Sequence, residues 1–239
     1  MGKNVLEYKE FPQYSAEKET FVNLIILDKS GSMDWLSKAA IDGFNETVGG
    51  IRSAQEKYND TQEHFVSLMV FCGCDKHFIY ENEPVTNVKN LTDKDYKACC
   101  DTPLYDAMGI SLTRLRQQVQ DIRNCTVIVT VITDGMENSS REYTGSQIQQ
   151  LVEELTKNGW TFAYMGTNHD VEGVAQRLSI KNVHQFENTN EGLSDSWEFE
   201  KQSRGRMYAR RAQRFCANIG MSREELMAEK MCMSESFYD

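Results

Sequence analysis

Phe21-Val22-Asn23-Leu24-Ile25-Ile26-Leu27-Asp28-Lys29-Ser30-Gly31-Ser32 is the stretch that decides the fold. Its first seven residues form a short run, apolar but for Asn23 and rich in branched side chains, that stops at a polar turn, which predicts a buried strand ending in a loop. Beyond it, Leu36, Ala40, Phe44, Val48, Ile51 and Tyr58 recur mostly at spacings of three and four, so a long amphipathic helix follows.

Further out the alternation continues. Strand candidates His64 to Phe71 and His77 to Tyr80 are joined by Cys72-Gly73-Cys74-Asp75-Lys76, too short for a parallel crossover, and form an antiparallel hairpin. Leu104, Met108, Leu112, Leu115, Val119 and Ile122 mark another helix. Cys125 to Thr133 is apolar almost throughout, as suits a strand in the middle of a parallel sheet covered on both faces. A helix around Ile148, Leu151, Val152 and Leu155, a strand from Trp160 to Met165, a short helix from Val171 to Leu178 and a strand from Val183 to Phe186 complete the series. The expectation is an α/β fold: a doubly wound, mostly parallel central sheet with one antiparallel edge strand. Residues 1–20 are expected to be an N-terminal extension and 21–190 the α/β domain. Residues 191–239 are expected to form a helical C-terminal extension packed on or beside it, its last helix opened by a capping box at Ser222-Arg223-Glu224-Glu225.

Composition narrows the function. Of 239 residues 40% are hydrophobic and 26% charged, an ordinary globular balance. A net charge of −10 repels phosphate backbones and anionic lipid, which argues against nucleic-acid and membrane partners. No run approaches the roughly 18 apolar residues of a membrane span. The N-terminal stretch is polar where a secretion signal is apolar, and Leu6 stands where myristoylation after Gly2 requires Ser or Thr. Seven cysteines, several within strand-like runs, suit free thiols in a reducing compartment, so the cytoplasm is the expected location.

Ligands of an open α/β sheet sit beyond the carboxyl ends of its strands, where strand order reverses. Asp28 and Asp134 both occupy such ends and converge if their strands are neighbours. Ser30 and Ser32 add hydroxyls around Gly31, which permits a tight curl. Hard oxygen donors of low formal charge suit Mg²⁺, where zinc would call for His or Cys.

Three segments then carry a family resemblance. Asp28-x-Ser30-x-Ser32, Thr102-Pro103-Leu104-Tyr105-Asp106-Ala107 and Thr133-Asp134-Gly135 resemble, in order, the three parts of the metal-ion-dependent adhesion site of von Willebrand factor type A (VWA) domains. Glu137-Asn138-Ser139-Ser140-Arg141-Glu142-Tyr143-Thr144, followed by Gly159-Trp160, is similar to a stand-alone intracellular bacterial and phage branch of that family. The resemblance covers about residues 20 to 187. It implies that Ser30, Ser32 and Thr102 supply hydroxyl oxygens to Mg²⁺ or Mn²⁺. It also implies that Asp28 and Asp134 act mostly through water, and that one open coordination position accepts an acidic group of a protein partner. The chain departs from many relatives at Cys99-Cys100-Asp101, where they carry glycines; the expectation there is altered loop mobility or a third carboxylate beside the ion.

Other candidates read more plainly. Asp106 either braces the threonine loop or simply suits a helix N-terminus. Cys72, Cys74, Cys99 and Cys100 lack the usual two-residue zinc spacing and are expected to be ordinary reduced thiols. His64, His77, His169 and His184 share no ligand spacing and receive no catalytic role. Lys201, Arg204, Arg206, Arg210, Arg211 and Arg214, interleaved with Trp197, Tyr208 and Phe215, are expected to form a solvated helical face packed by its aromatic side, with docking of an acidic partner as the second reading. No nucleophile and base pair is recognisable, which favours a protein-binding module over an enzyme. The alternatives are a Mg²⁺-dependent phosphohydrolase, weakened because Ser30 stands where the second aspartate belongs, and a structural subunit whose ion only braces loops.

Overall fold

A computed structural model describes residues 10–215 and 223–239. Six strands, β1 (Glu19–Asp28), β2 (Gln62–Cys72), β3 (Asp75–Pro84), β4 (Cys125–Thr133), β5 (Thr161–Gly166) and β6 (Asn182–Gln185), form one sheet in the order β3-β2-β1-β4-β5-β6. Every pairing is parallel except β2 with β3, the antiparallel edge. The expected fold class therefore holds. The hairpin strands extend past their apolar cores because ladder hydrogen bonds continue where side chains turn polar.

Strand β1 shows how the sheet is covered twice. Phe21, Ile25 and Leu27 enter one apolar cluster, while Val22, Leu24 and Ile26 enter the other, the period-two alternation of a strand buried on both faces. The first cluster includes α1 (Ser37–Lys57) and α5 (Asn190–Phe215); the second includes α2 (Leu104–Val119), α3 (Gly145–Lys157) and α4 (Val171–Arg177). A 3-10 turn, Gly31–Leu36, separates β1 from α1, so the long helix begins only at Ser37. Helices α1 and α5 approach so closely that a Cβ on Gly43 would lie 2.0 Å from Trp197 Cδ1. The last helix, α6 (Arg223–Glu235), closes the amino ends of β4 to β6: Lys230 Nζ donates to Cys125 O at 2.7 Å, and Asn182 Nδ2 donates to Ser234 O at 2.9 Å. Ser222 of the expected capping box lies outside the described residues, as do Gly2, Leu6 and Cys216.

The basic stretch departs at two positions from the solvated face expected of it, while Lys201, Arg206, Arg210 and Arg214 stay at least partly exposed and Trp197 and Tyr208 are packed inside. Arg204 and Arg211 are buried, and each is ion-paired, to Glu200 and Glu19 respectively. Arg204 also donates to Asn23 Oδ1 at 2.6 Å and Thr130 Oγ1 at 2.8 Å, and Tyr208 donates to Asn23 at 2.5 Å. Asn23 and Thr130 are polar residues in the middle of otherwise apolar strands. An arginine on the covering helix satisfies them, because a buried amide or hydroxyl left without a partner is costly.

The thiols also differ from expectation. Cys74 and Cys100 form a disulfide, while Cys72, Cys99, Cys125 and Cys232 are free. The backbone brings the β2–β3 turn against the loop before Thr102, with Gly73 N–H donating to Asp101 O at 2.7 Å, and spacing in sequence carried no sign of that contact.

Candidate metal centre

Strand order reverses between β1 and β4, and both strands end on the same crevice. Asp28 is the last residue of β1, and its partner strand ends at Thr133 with Asp134 immediately after. The neighbouring strands place the carboxylates together, as the sequence led one to expect.

Asp28 is fully buried. Its Oδ1 accepts the Ser30 N–H and its Oδ2 the Thr133 hydroxyl, both at 2.6 Å. Burial pushes its carboxyl up to about 6 against these hydrogen bonds, with the charge of Asp134 adding a little. Burial likewise raises Asp134, opposed by the hydrogen bond from Ser32. Ser30 and Ser32 hydroxyls lie 3.2 Å apart, and Ser32 Oγ donates to Asp134 Oδ1 at 2.6 Å. A Cβ on Gly135 would sit 3.5 Å from Thr102 Oγ1 and 3.7 Å from Ser32 Oγ, which puts the threonine hydroxyl at the same spot. Asp28, Ser30, Ser32, Thr102 and Asp134 thus form one group of oxygens.

Asp134 Oδ2 is buried and has no hydrogen-bond partner. An orphaned carboxylate oxygen beside three hydroxyls and a second, desolvated carboxylate fits a small divalent cation, whose charge would satisfy both acids.

A surrounding layer fixes these groups, and sequence reasoning saw little of it. Thr102 N–H donates to Asn138 Oδ1 at 2.8 Å, and Tyr105 N–H donates to Glu137 Oε2 at 2.9 Å. In return the Asp106 carboxylate accepts the N–H groups of Arg141, Glu142 and Tyr143 at 2.8–3.1 Å and faces Lys76. These contacts hold the Asp106 carboxyl below its usual range against the opposing effect of its burial. Asp106 therefore braces the loop after Asp134, and Asn138 holds the threonine. Of this layer the sequence marked Asp106, as a brace of the threonine loop or as an acid suited to a helix N-terminus, and Glu137–Thr144 as part of the family resemblance. Tyr96, held well above its ordinary pKa by burial and by the Asp28 and Asp134 charges, donates to Asp28 O at 2.5 Å.

Lys29 turns away from the crevice to Asp75, Nζ to Oδ2 3.0 Å. Asp101 does not join a compact carboxylate trio: among the described residues no three Asp, Glu or His ligand atoms lie within 4.8 Å of one another. His169 stands close enough to Asp134 for their charges to interact, but its ring is engaged by Tyr164 OH at 3.0 Å and Thr167 O at 2.6 Å. Two of the large apolar side chains left exposed, Trp35 and Met136, are on the loops that carry Ser32 and Asp134.

No protein-family model matches the chain, and a search of curated proteins finds no match. Solved structures do match in fold. Proximal thread matrix protein 1 from the mussel byssus is similar at 15% identity and a TM-score of 0.54, over 76% of this chain and 45% of that one. A structure of the same mussel protein with a zinc-occupied adhesion-site motif aligns at 12% identity and a TM-score of 0.52, over 80% and 46%. The open conformation of the pilus adhesin SpaC from Lactobacillus rhamnosus GG aligns at 12% identity and a TM-score of 0.58, over 84% and 31%. The chain spans less than half the length of each.

Proposed function

We propose that this chain, whose fold is VWA-like, is a metal-dependent protein-binding module that holds Mg²⁺ or Mn²⁺ with Asp28, Ser30, Ser32, Thr102 and Asp134. The observation that carries the reading is the buried, unpartnered Asp134 Oδ2 at the switch point, within a set of hard oxygen donors. A bound ion with mainly neutral direct ligands keeps an open, electrophilic position, and the partner group that fills it is a carboxylate. Trp35 and Met136, exposed on the flanking loops, supply the apolar contact that a rim of charges lacks.

A phosphohydrolase is disfavoured by the same residues. Ser30 replaces the second acid such chemistry needs, and Lys29 is engaged by Asp75 rather than offered to a phosphate. No described helix is long and apolar enough to cross a membrane. Cytoplasmic residence belongs to the proposal and rests on the four free cysteines among those described.

The test is capture of partners on immobilised protein in Mg²⁺ or Mn²⁺ against chelator, beside Asp28→Ala and Ser30→Ala. Partners held equally in chelator, or equally by the variants, would refute a metal-mediated contact. Metal that raises the melting temperature without altering any complex would leave the structural-subunit reading in its place.

A further inference from the structure

We propose that Cys72, Cys74, Cys99 and Cys100 form a second metal site, four thiolates for one zinc ion in the reduced protein. It is separate from the oxygen site and does not depend on it. The sulfurs of Cys74, Cys99 and Cys100 lie within 4.8 Å of one another, and Cys72 Sγ is 3.0 Å from Cys99 Sγ. Zn–S bonds of roughly 2.3 Å set tetrahedral sulfurs about 3.8 Å apart; Cys74, Cys99 and Cys100 already form a compact trio, and Cys72, which touches Cys99 but stands outside it, swings in to complete the four. The Cys74–Cys100 disulfide uses only two of them and leaves Cys99 and Cys72 packed on each other beside it.

The backbone is arranged for convergence. Adjacent residues of an extended chain point to opposite sides, yet Cys99 and Cys100 reach one place. The break is at Cys100, whose φ of +59° lies in the left-handed region that side chains other than glycine rarely adopt. Gly73, between the other two cysteines, allows the close approach: a Cβ there would be 3.0 Å from Asp101 N. Main-chain hydrogen bonds hold both segments without help from sulfur, Gly73 N–H to Asp101 O at 2.7 Å, Cys99 N–H to Lys29 O and Gly31 N–H to Cys100 O at 2.9 Å each. Four soft thiolates select zinc over Mg²⁺.

Loading proceeds from the disulfide in two balanced steps. A cellular dithiol gives two electrons and two protons to the Cys74–Cys100 bond, which opens to two thiols while the dithiol closes to its own disulfide. Zinc then displaces the four thiol protons to solvent. The bound ion joins the β2–β3 turn to the loop two residues before Thr102 and steadies the threonine that the oxygen site needs.

The experiment is metal analysis and cobalt substitution of the whole chain, purified anaerobically with excess dithiol. Wild type is expected to retain one zinc per chain, and its Co²⁺ form to show sulfur-to-cobalt charge-transfer bands with tetrahedral d–d bands. Asp28→Ala, which disables the oxygen site, keeps both signals, whereas Cys99→Ser loses them. The proposal fails if reduced wild type carries no zinc above the buffer blank, or if Co²⁺ binds without a thiolate band. It fails equally if the metal disappears with Asp28→Ala while Cys99→Ser retains it. The cobalt spectrum of wild type decides even if both variants misfold.

Discussion

Replacing Asp28 by Asn separates the electrostatic cost of the oxygen site from its affinity for metal. Burial lifts the Asp28 carboxyl from 3.8 to about 6. Two units at roughly 1.4 kcal/mol each give about 3 kcal/mol. The sign follows from proton uptake: the folded chain binds the proton more tightly than the unfolded one. The group's contribution to stability is therefore complete below about pH 4 and lost as pH rises through 6. At pH 7.5 metal-free wild type carries the full penalty, and Asn, which cannot ionise, does not. At about 2–4 °C per kcal/mol for a chain of this size, Asp28→Asn is expected to melt as much as 6–12 °C above metal-free wild type at pH 7.5. Lost hydrogen bonds from Ser30 and Thr133 reduce that gain, and the gap closes towards pH 4. His64, pushed down to about 3 by burial with Arg204 adding, imposes its own pH dependence, but the same one on both proteins, so the difference between the curves removes it. Saturating Mg²⁺, at a hundred times its Kd, should then stabilise wild type by about 2.7 kcal/mol and leave the Asn protein unmoved. The assay is differential scanning calorimetry from pH 4 to 8, with and without chelator. An Asn variant that melts below metal-free wild type throughout, or that responds to Mg²⁺, would refute the reasoning.

Other expected outcomes are independent of that one. Gly43→Ala drives a Cβ into the Trp197 indole and should cost about 1–3 kcal/mol in denaturant unfolding while the metal response of the folded protein is unchanged. Asp106→Ala strands the N–H groups of Arg141, Glu142 and Tyr143; a loss of about 3 kcal/mol is expected, with faster amide exchange confined to residues 137–144 as its signature. Trp35→Ala and Met136→Ala should each weaken partner binding by about 1–2 kcal/mol without altering metal affinity measured by calorimetry; equal weakening of both would mean they support the ion and not the partner.

Much of this was legible because the signals are local. The apolar run at Cys125–Thr133 is the strand β4, bounded as its composition indicates, and the short Cys72–Lys76 link does make the antiparallel edge. Asp28 and Asp134 could be brought together from sequence because strand ends at a switch point are a property of the topology. What escaped reading depends on contacts between distant segments. Nothing in Lys201–Arg214 says that Arg204 points at a sheet 181 residues upstream; the clue was Asn23, a polar residue inside a buried strand. Cys74 and Cys100 are 26 residues apart and meet only because two loops pair by main-chain bonds. Glu137 and Asn138 were marked only as part of the family resemblance, since their partners, the backbone amides of Tyr105 in α2 and of Thr102 just before it, are indicated by no side-chain pattern.

The ion pair beneath α5 also sets a timetable. Asn23 leaves the ribosome 181 residues before Arg204, and at about 5–20 residues per second the interval is roughly 10 to 40 s. Once β4 has emerged, Glu19, Asn23 and Thr130 face a side of the sheet that α1 covers in part and α5 does not yet cover. Water can satisfy those groups, but the apolar neighbours Phe21, Ile25 and Leu27 stay only partly covered as a consequence. Closure of this face of the sheet therefore waits for α5, and the nascent protein is most exposed to aggregation and to holdase chaperones just before residues 190–215 appear.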